Sequence, residues 1–151
     1  MFVEDTFQLF YTVYISNVQI QYYLSYRQFL LNHLFPLTEL LEILHFAKVS
    51  KGDITITEEG KAFADADILE RKKIFSVHLK KYVPLARFIY DRLIRHPRHR
   101  ALEENFLSLL EDYLSEEEAE RVLGTVIEWG RYAELFAYDY NSGVLSLENP
   151  H

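Results

Sequence analysis

Two separated stretches of this chain share one pattern, a helix followed by a short hairpin of two strands. In the first stretch, Ala47 and Val49 precede a turn-forming cluster at residues 50–53. Ile54 and Ile56 then continue the alternation of apolar and polar residues. Alternation on both sides of a Gly-Asp turn is typical of a β-hairpin, so we expect Ala47 and Val49 to face Ile54 and Ile56 across it.

The second stretch lies near the C-terminus. Aromatic residues occupy every second position at Phe136, Tyr138 and Tyr140, before the turn-forming residues 141–143. Residues 144–147 are then expected to form the returning strand of a hairpin. A helix followed by a two-stranded wing, occurring twice, predicts a mainly α chain of class α+β with small β-hairpins. We interpret it as two winged-helix-like units that share a core. The first unit with its connecting helix is placed at residues 1–81 and the second, helical unit at residues 82–151. No proline-rich or serine-rich linker interrupts residues 37–150, which is why we expect a shared core.

Charge is distributed very unevenly along the chain. Residues 1–70 carry ten acids and four bases, residues 71–100 ten bases and one acid, and residues 101–151 twelve acids and two bases. The basic middle segment either neutralises the acidic last third or faces an external anionic partner. The chain has no cysteine, which leaves no disulfide or thiolate metal site and fits a cytoplasmic location.

The N-terminal residues 1–32 give conflicting signals. Two runs of alternating residues are typical of strands, whereas a winged-helix unit would place helices here, and we expect a helix over residues 6–16. The stretch between Asp5 and Arg27 has 21 uncharged residues, long enough to cross a bilayer. Its several glutamine, asparagine and serine residues are too polar for that, so we predict no direct membrane insertion.

Helices are predicted where apolar residues recur three and four positions apart. Thr57 is a plausible N-cap for the second helix, and Asp65 or Asp67 for the third. Ser115 and Glu118 have the spacing of a capping box. The predicted helices cover residues 37–46, 58–64, 66–81, 84–95 and 102–113, and a last one begins at residue 116.

The sequence contains no recognisable catalytic constellation. It has no glycine-rich phosphate loop, no serine-glycine-glycine signature of ABC cassettes and no nucleophile elbow. His96 and His99 could offer imidazoles to a metal ion, but three arginines flank them and Pro97 breaks the helical spacing. Asp65 and Asp67 are better explained as helix caps than as an acid/base pair. We therefore expect no enzyme activity, no cofactor and no metal site.

Several motifs occur in order over residues 37–150. They are Gly52-Asp53-Ile54, Thr57-x-x-Gly60-x-Ala62-Phe63-Ala64, Ala66-Asp67-Ile68, Glu70-Arg71-Lys72, Ile74-Phe75, Val83-Pro84-Leu85, Leu114-Ser115-Glu116-Glu117-Glu118-Ala119-Glu120 and Trp129-Gly130-Arg131-Tyr132-Ala133-Glu134-Leu135-Phe136-Ala137-Tyr138-Asp139. In these motifs the chain resembles the C-terminal AAA-associated domain, which follows the nucleotide-binding cassette in some ATPase subunits of nitrate/sulfonate/bicarbonate-type ABC importers. The resemblance implies an accessory domain without its ATPase, which would neither bind nor hydrolyse ATP.

Two functions from different classes follow. The first is a non-catalytic regulatory or docking domain that contacts an ABC importer ATPase or another transporter component, with attachment to the inner membrane through the transporter and a homodimer both left open. Trp129 is expected either to pack between the units, which we favour, or to anchor an interface. The candidate interface residues are Trp129, Arg131, Tyr132, Arg71, Lys72, Lys80 and Lys81.

The alternative is a winged-helix transcriptional regulator that binds DNA. The helix before each wing should then enter the major groove and carry basic residues. The helix at residues 37–46 has Glu39 and Glu42 and no lysine or arginine, and the helix from residue 116 has five glutamates against Arg121. Acidic helices repel a polyanion, so we expect docking on a protein rather than binding to nucleic acid.

Overall fold

The computed structural model describes residues 35–147. The described chain is mostly helical with two small antiparallel sheets, which confirms the α+β class. The expected helix over residues 6–16, and the alternative hairpin there, lie outside the described residues. The elements are α1 (Phe35–Ile43), β1 (Ala47–Ser50), β2 (Asp53–Ile56), α2 (Glu58–Asp65), α3 (Ile68–Tyr82), α4 (Pro84–Arg95), β3 (Arg100–Leu102), α5 (Glu103–Glu111), α6 (Glu116–Tyr132), β4 (Ala137–Asp139) and β5 (Val144–Ser146).

The described chain separates into two compact units, one ending at His78 and the other beginning at Leu79. The division between residues 81 and 82, and a core shared by both units, stay predictions.

The structure confirms the first hairpin and supplies its register. Ala47 pairs with Ile56, and Val49 pairs with Ile54. Lys51 and Gly52 both have positive φ, 51° and 86°. Two successive left-handed residues are typical of a type I′ turn, whose twist matches that of the flanking strands. The local turn chemistry therefore sets the pairing of β1 with β2.

Helix α1 ends at Ile43, three residues before the predicted end at Phe46. His45 adopts a left-handed φ of 60°, and the N–H of Phe46 reaches back to the carbonyl of Leu41 at 2.8 Å. This closure satisfies a terminal carbonyl of the helix and turns the chain into β1. The predicted helix was too long because Phe46 continues the apolar spacing of the helix. Phe46 is buried in the core, but it lies after the end of α1.

Helix α2 begins as predicted, because the Thr57 hydroxyl accepts from the N–H of Gly60 at 3.0 Å. Helix α3 begins at Ile68 rather than at residue 66. Ala66 is extended, with ψ 153°, and its N–H caps α2 at Ala62. Asp67 takes the capping role at α3, where its carboxylate accepts from the N–H of Glu70 at 2.9 Å.

The core of the first unit is aromatic. The rings of Phe46 and Phe63 stack with centroids 4.6 Å apart, and Phe75 lies 6.2 Å from Phe63. His78 closes the cluster, since its ring lies 4.6 Å from Phe46 and its Nδ1 donates to the carbonyl of Leu44 at 2.7 Å. The histidine therefore joins α3 to the end of α1 in a structural role.

The second unit contains a strand that the sequence did not reveal. Strand β3 pairs with β5, so the sheet order is β3-β5-β4, and α5 starts at Glu103 and ends at Glu111 instead of covering residues 102–113. His99 has a φ of 51° and its carbonyl accepts from Leu147. This left-handed residue and the pairing with β5 hold residues 100–102 extended.

Helix α6 organises the core of this unit. Ser115 and Glu118 form the predicted capping box, and backbone and side-chain hydrogen bonds from Ser115 lower the pKa of Glu118. Ala119, Leu123 and Ile127 are buried along one face. Near its end, Gly130 lies against the ring of Phe136, where a Cβ atom would come within 2.1 Å of a ring carbon. The glycine lets the chain return closely onto the helix before the hairpin.

Candidate binding site

Arg71 and Lys72 are two of the predicted interface residues, and the structure gives Arg71 a structural task. Its guanidinium donates to the carbonyls of Phe63 and Ala64 at 3.3 and 2.8 Å. These carbonyls belong to the last turn of α2, whose terminal carbonyls lack partners inside the helix. Arg71 thereby ties α3 to the end of α2, while Lys72 is half-buried.

Lys80 and Lys81 lie in the last turn of α3. The ammonium group of Lys80 is 4.8 Å from the ring centroid of Tyr90, and that of Lys81 is 5.1 Å from the ring centroid of Tyr82. Such cation–π contacts are worth about 0.5–1 kcal/mol at exposed sites. The two lysines therefore have local aromatic partners, and no ion pair holds either of them within residues 35–147.

The other three predicted residues lie at the end of α6, where Trp129 and Tyr132 are half-buried. Arg131 donates to the hydroxyl of Tyr140 at 2.6 Å and lies 3.6 Å from the carboxylate of Glu128. The hydroxyl of Tyr140 donates to the same carboxylate, and this bond, followed by burial, raises the pKa of Tyr140. Arg131 is thus engaged in holding the hairpin, and the role of all seven residues in an interface stays a prediction.

A groove in the second unit brings together four arginines that the sequence showed only as part of a basic segment. Arg92 and Arg95 come from the last turn of α4, Arg98 from the following turn, and Arg100 from the start of β3. The groove has a volume of about 650 Å³, within the range of roughly 300–1,000 Å³ that is common for ligand sites. The sequence feature that could have revealed this cluster is the spacing of the arginines. Arg92 and Arg95 are three residues apart at the helix end, and Arg98 and Arg100 are two residues apart after it.

The floor of the groove is apolar. Its apolar lining consists of Leu102 at the end of β3, Phe106 and Leu109 of α5, and Val144 of β5. Phe106 is buried and packs edge-to-face on Phe88 with centroids 6.1 Å apart. By contrast, Leu102 and Leu109 remain 48% and 44% exposed. The site therefore offers guanidinium groups around an accessible apolar surface.

The turn that carries Arg98 is held firmly. The N–H of His99 donates to the carbonyl of His96 at 2.9 Å, and the N–H of Arg98 donates to Nδ1 of His96 at 3.2 Å. Nδ1 of His99 donates to the carbonyl of Leu93 at 3.0 Å. The two histidines considered as metal ligands therefore use their Nδ1 atoms to build the turn. No cluster of three or more metal-ligating side chains occurs within residues 35–147.

No acidic side chain lines the groove among the residues that the structure describes. Within that part of the chain, the guanidiniums of Arg95, Arg98 and Arg100 make no salt bridge, and Arg92 contacts only the ring of Phe88, at 5.9 Å. Arg92 and Arg95 interact favourably with the C-terminal end of the α4 dipole. Arg98 and Arg100 lie beyond the helix, so the cluster keeps a positive charge that the described fold does not neutralise.

Comparison with protein families gives a match to the C-terminal AAA-associated domain over residues 25–139. The chain belongs to this family. The match begins before residue 37, where the sequence motifs begin, and ends before β5. Searches of curated proteins and of solved structures give no match.

The family match includes all four arginines of the groove, so they belong to the AAA-associated domain itself. It also includes α3, which exposes three large apolar side chains. Ile68 and Leu69 are each 69% exposed, and Val77 is 59% exposed. No helix in the described part of this family member is both long and apolar enough to cross a membrane.

Proposed function

We propose that this AAA-associated domain is a non-catalytic regulatory or docking domain that acts by protein–protein contact on the ATPase of an ABC importer of the nitrate/sulfonate/bicarbonate type. It would work in the cytoplasm and reach the inner membrane through the transporter. The ATPase cassette can be part of the same polypeptide or of another one. Membership of the family and the resemblance of its motifs to importer-associated domains support the identity of the partner.

The exposed apolar face of α3 is the observation that carries the proposal. Leu69, Lys73 and Val77 follow one another at i, i+4 and i+8, so they lie on one side of the helix, and all three are exposed. The opposite side buries Phe75 in the aromatic core. Exposed apolar residues commonly mark a protein contact. Lys73, between Leu69 and Val77, lies 3.7 Å from the carboxylate of Glu70 on the same helix, so the apolar residues carry the proposed contact.

The second unit and the two helices that precede the hairpins support a winged-helix architecture that binds protein rather than DNA. The second unit runs helix, strand, two helices and two strands, with the first strand beside the last, and this order supports the winged-helix interpretation. Helix α1 has no basic residue within Phe35–Ile43. Helix α6 has three glutamates in its first turn, and its late arginine, Arg131, is bound to Glu128 and Tyr140. Neither helix offers a phosphate-binding surface.

A binding measurement with a purified ATPase subunit of a nitrate/sulfonate/bicarbonate-type importer tests the proposal. Leu69→Ser combined with Val77→Ser should weaken binding at least about tenfold, because apolar contacts at the centre of an interface contribute most of its affinity. Tyr113→Ser, at an 88% exposed residue after α5, is the matched control and should leave the affinity unchanged.

Three other results would assign the surface differently. Equal binding by the α3 variant and the parent would remove α3 from the contact. Dimerisation of the pure protein that the α3 variant abolishes would assign this face to a second copy of the chain. Submicromolar binding of random duplex DNA at physiological salt would favour the DNA-binding alternative.

A further inference from the structure

We infer that the groove between the end of α4, β3 and α5 is a separate peptide-binding site that takes an acidic segment with apolar side chains from a partner protein. This inference does not depend on the identity of the partner as a transporter ATPase. It uses a different surface from α3, and it rests on charge complementarity at a concave site.

The arginines specify the charge of the occupant. Arg95, Arg98 and Arg100 are exposed and lack carboxylate partners within the described chain. A guanidinium binds a carboxylate through two parallel hydrogen bonds and is less strongly hydrated than an ammonium group. Several such groups around one groove favour a segment with more than one glutamate or aspartate.

The floor specifies that the occupant also carries apolar side chains. Leu102 and Leu109 remain about half exposed beside the buried Phe106. A purely ionic ligand would leave this apolar surface in water, whereas an inserted leucine or phenylalanine would cover it. A peptide that combines carboxylates with such side chains satisfies both parts of the site.

Nucleic acid and membranes fit the groove less well. The chain carries a net charge of −7. Acidic residues are frequent in the sequence that follows the groove residues of α5, and α6 has Glu116, Glu117 and Glu118 in its first turn. A long polyanion would extend beyond the four arginines and meet the net negative charge of the chain, whereas a short peptide can stay within the groove. The apolar residues form the lining of a recess, which admits side chains more readily than a lipid surface.

The site can be tested by fluorescence anisotropy with the whole chain and a short labelled peptide that alternates glutamate with leucine and phenylalanine. Arg95→Glu combined with Arg98→Glu should weaken binding by at least about tenfold, because each substitution replaces a guanidinium that binds carboxylates with a carboxylate that repels them. Lys48→Glu with Arg121→Glu changes the net charge equally outside the groove, and should retain nearly the parent affinity.

The apolar requirement is measured separately. Leu102→Ser with Leu109→Ser should also weaken binding severalfold, and a peptide with serine in place of leucine and phenylalanine should bind the parent chain more weakly. Thermal melting of each variant should stay close to that of the parent, because all four substituted groove residues are exposed.

Several outcomes would overturn the inference. They are undetectable binding of the parent chain to the peptide, equal loss in the Lys48/Arg121 control, undiminished binding of the serine-substituted peptide, or tighter binding of duplex DNA or phosphatidylglycerol vesicles. Failure here would leave the α3 contact with the ATPase subunit untouched, since that measurement uses other variants and another ligand.

Discussion

The two hairpins of this chain are held by different means. Hairpin β1–β2 is a two-stranded ribbon whose turn residues, Lys51 and Gly52, are both left-handed. Three of the four residues of β1 are exposed. Hairpin β4–β5 gains a third strand, β3, and buries Leu145 completely.

Side-chain hydrogen bonds sharpen the contrast. The hydroxyl of Tyr138 donates to Glu103 of α5, and that of Tyr140 donates to Glu128 of α6. The first hairpin has local ties instead. Glu42 accepts from the N–H of Val49 at 3.0 Å, and the hydroxyl of Thr57 donates to the carbonyl of His45 at 2.7 Å.

An isolated two-stranded hairpin is marginally stable in water, and additional strands or packing on a helix are needed to secure it. The first hairpin therefore depends on turn chemistry and its adjacent helices, and the second on contacts between residues far apart in sequence. We expect substitutions in the second hairpin to lower the free energy of unfolding more than substitutions in the first.

Removing the second hairpin should have the largest effect. Ending the chain after Arg131 deletes Leu135, Phe136 and Leu145, all buried. Burial of each such side chain contributes about 1.5–3 kcal/mol, in sum comparable with the ~5–15 kcal/mol stability of a typical domain. We expect unfolding or aggregation in circular dichroism and size-exclusion chromatography, whereas a chain ending at Leu147 should melt cooperatively. A monomeric truncation with an unchanged melt would identify the hairpin as a mobile arm.

A matched pair of alanine substitutions tests the contrast directly. Leu145→Ala should lower the free energy of unfolding by about 2–5 kcal/mol, as is usual for a buried leucine. Val49→Ala, at a residue 36% exposed in the first hairpin, should cost less than about 1 kcal/mol. Urea denaturation of both variants measures the difference. Equal losses would mean that the first hairpin is as tightly integrated as the second.

Two glycines of α6 provide the next test. Gly130→Ala should destabilise the protein by about 1–3 kcal/mol or more, since its Cβ would collide with the ring of Phe136. Gly124→Ala meets nothing within 4 Å and should stabilise the helix by roughly 0.5–1 kcal/mol. Thermal melting compares the two. A tolerated alanine at residue 130 would show that the hairpin can move away from α6.

Local sequence signals predicted the parts of the fold that local chemistry determines. The hairpin of β1 and β2 follows from the turn at Lys51 and Gly52, and the start of α6 follows from Ser115 and Glu118. Helix α4 has the predicted bounds because Pro84 opens it and His96 precedes a proline. These features depend on residues within one turn of each other.

Strand β3 and the arginine groove depend on distant residues and were therefore missed. Three residues are too few to show a period, and Arg100 is extended because it pairs with Ser146. The groove collects side chains from α4, a turn, β3 and α5, and no single stretch of sequence displays that arrangement. The sequence revealed the excess of arginine but not the surface it forms.

The smallest expected effect is a loss of stability at alkaline pH, which should arise in the second hairpin and not in the first. The hydrogen bond to Glu103, followed by burial, raises the pKa of Tyr138 from its ordinary 10.0 to about 12. Because the folded state holds this proton more tightly than the unfolded state, the stabilisation is complete below about pH 10 and is lost as the pH rises through about 12. Residues 47–56 of the first hairpin contain no tyrosine, so this loss belongs to the second hairpin.

The measurement is the free energy of unfolding in urea from neutral to alkaline pH for the parent chain and Tyr138→Phe. Phenylalanine cannot ionise, so the stability of the Tyr138→Phe protein should fall less steeply above about pH 10 than that of the parent. The pKa of Tyr140, which also donates to a glutamate, is raised as well. Its ionisation therefore also lowers the stability at alkaline pH, and it does so in both proteins. Parallel pH profiles would mean that the bond between Tyr138 and Glu103 contributes nothing to holding the second hairpin, and its stability would then rest on the burial of Leu145 and the pairing with β3.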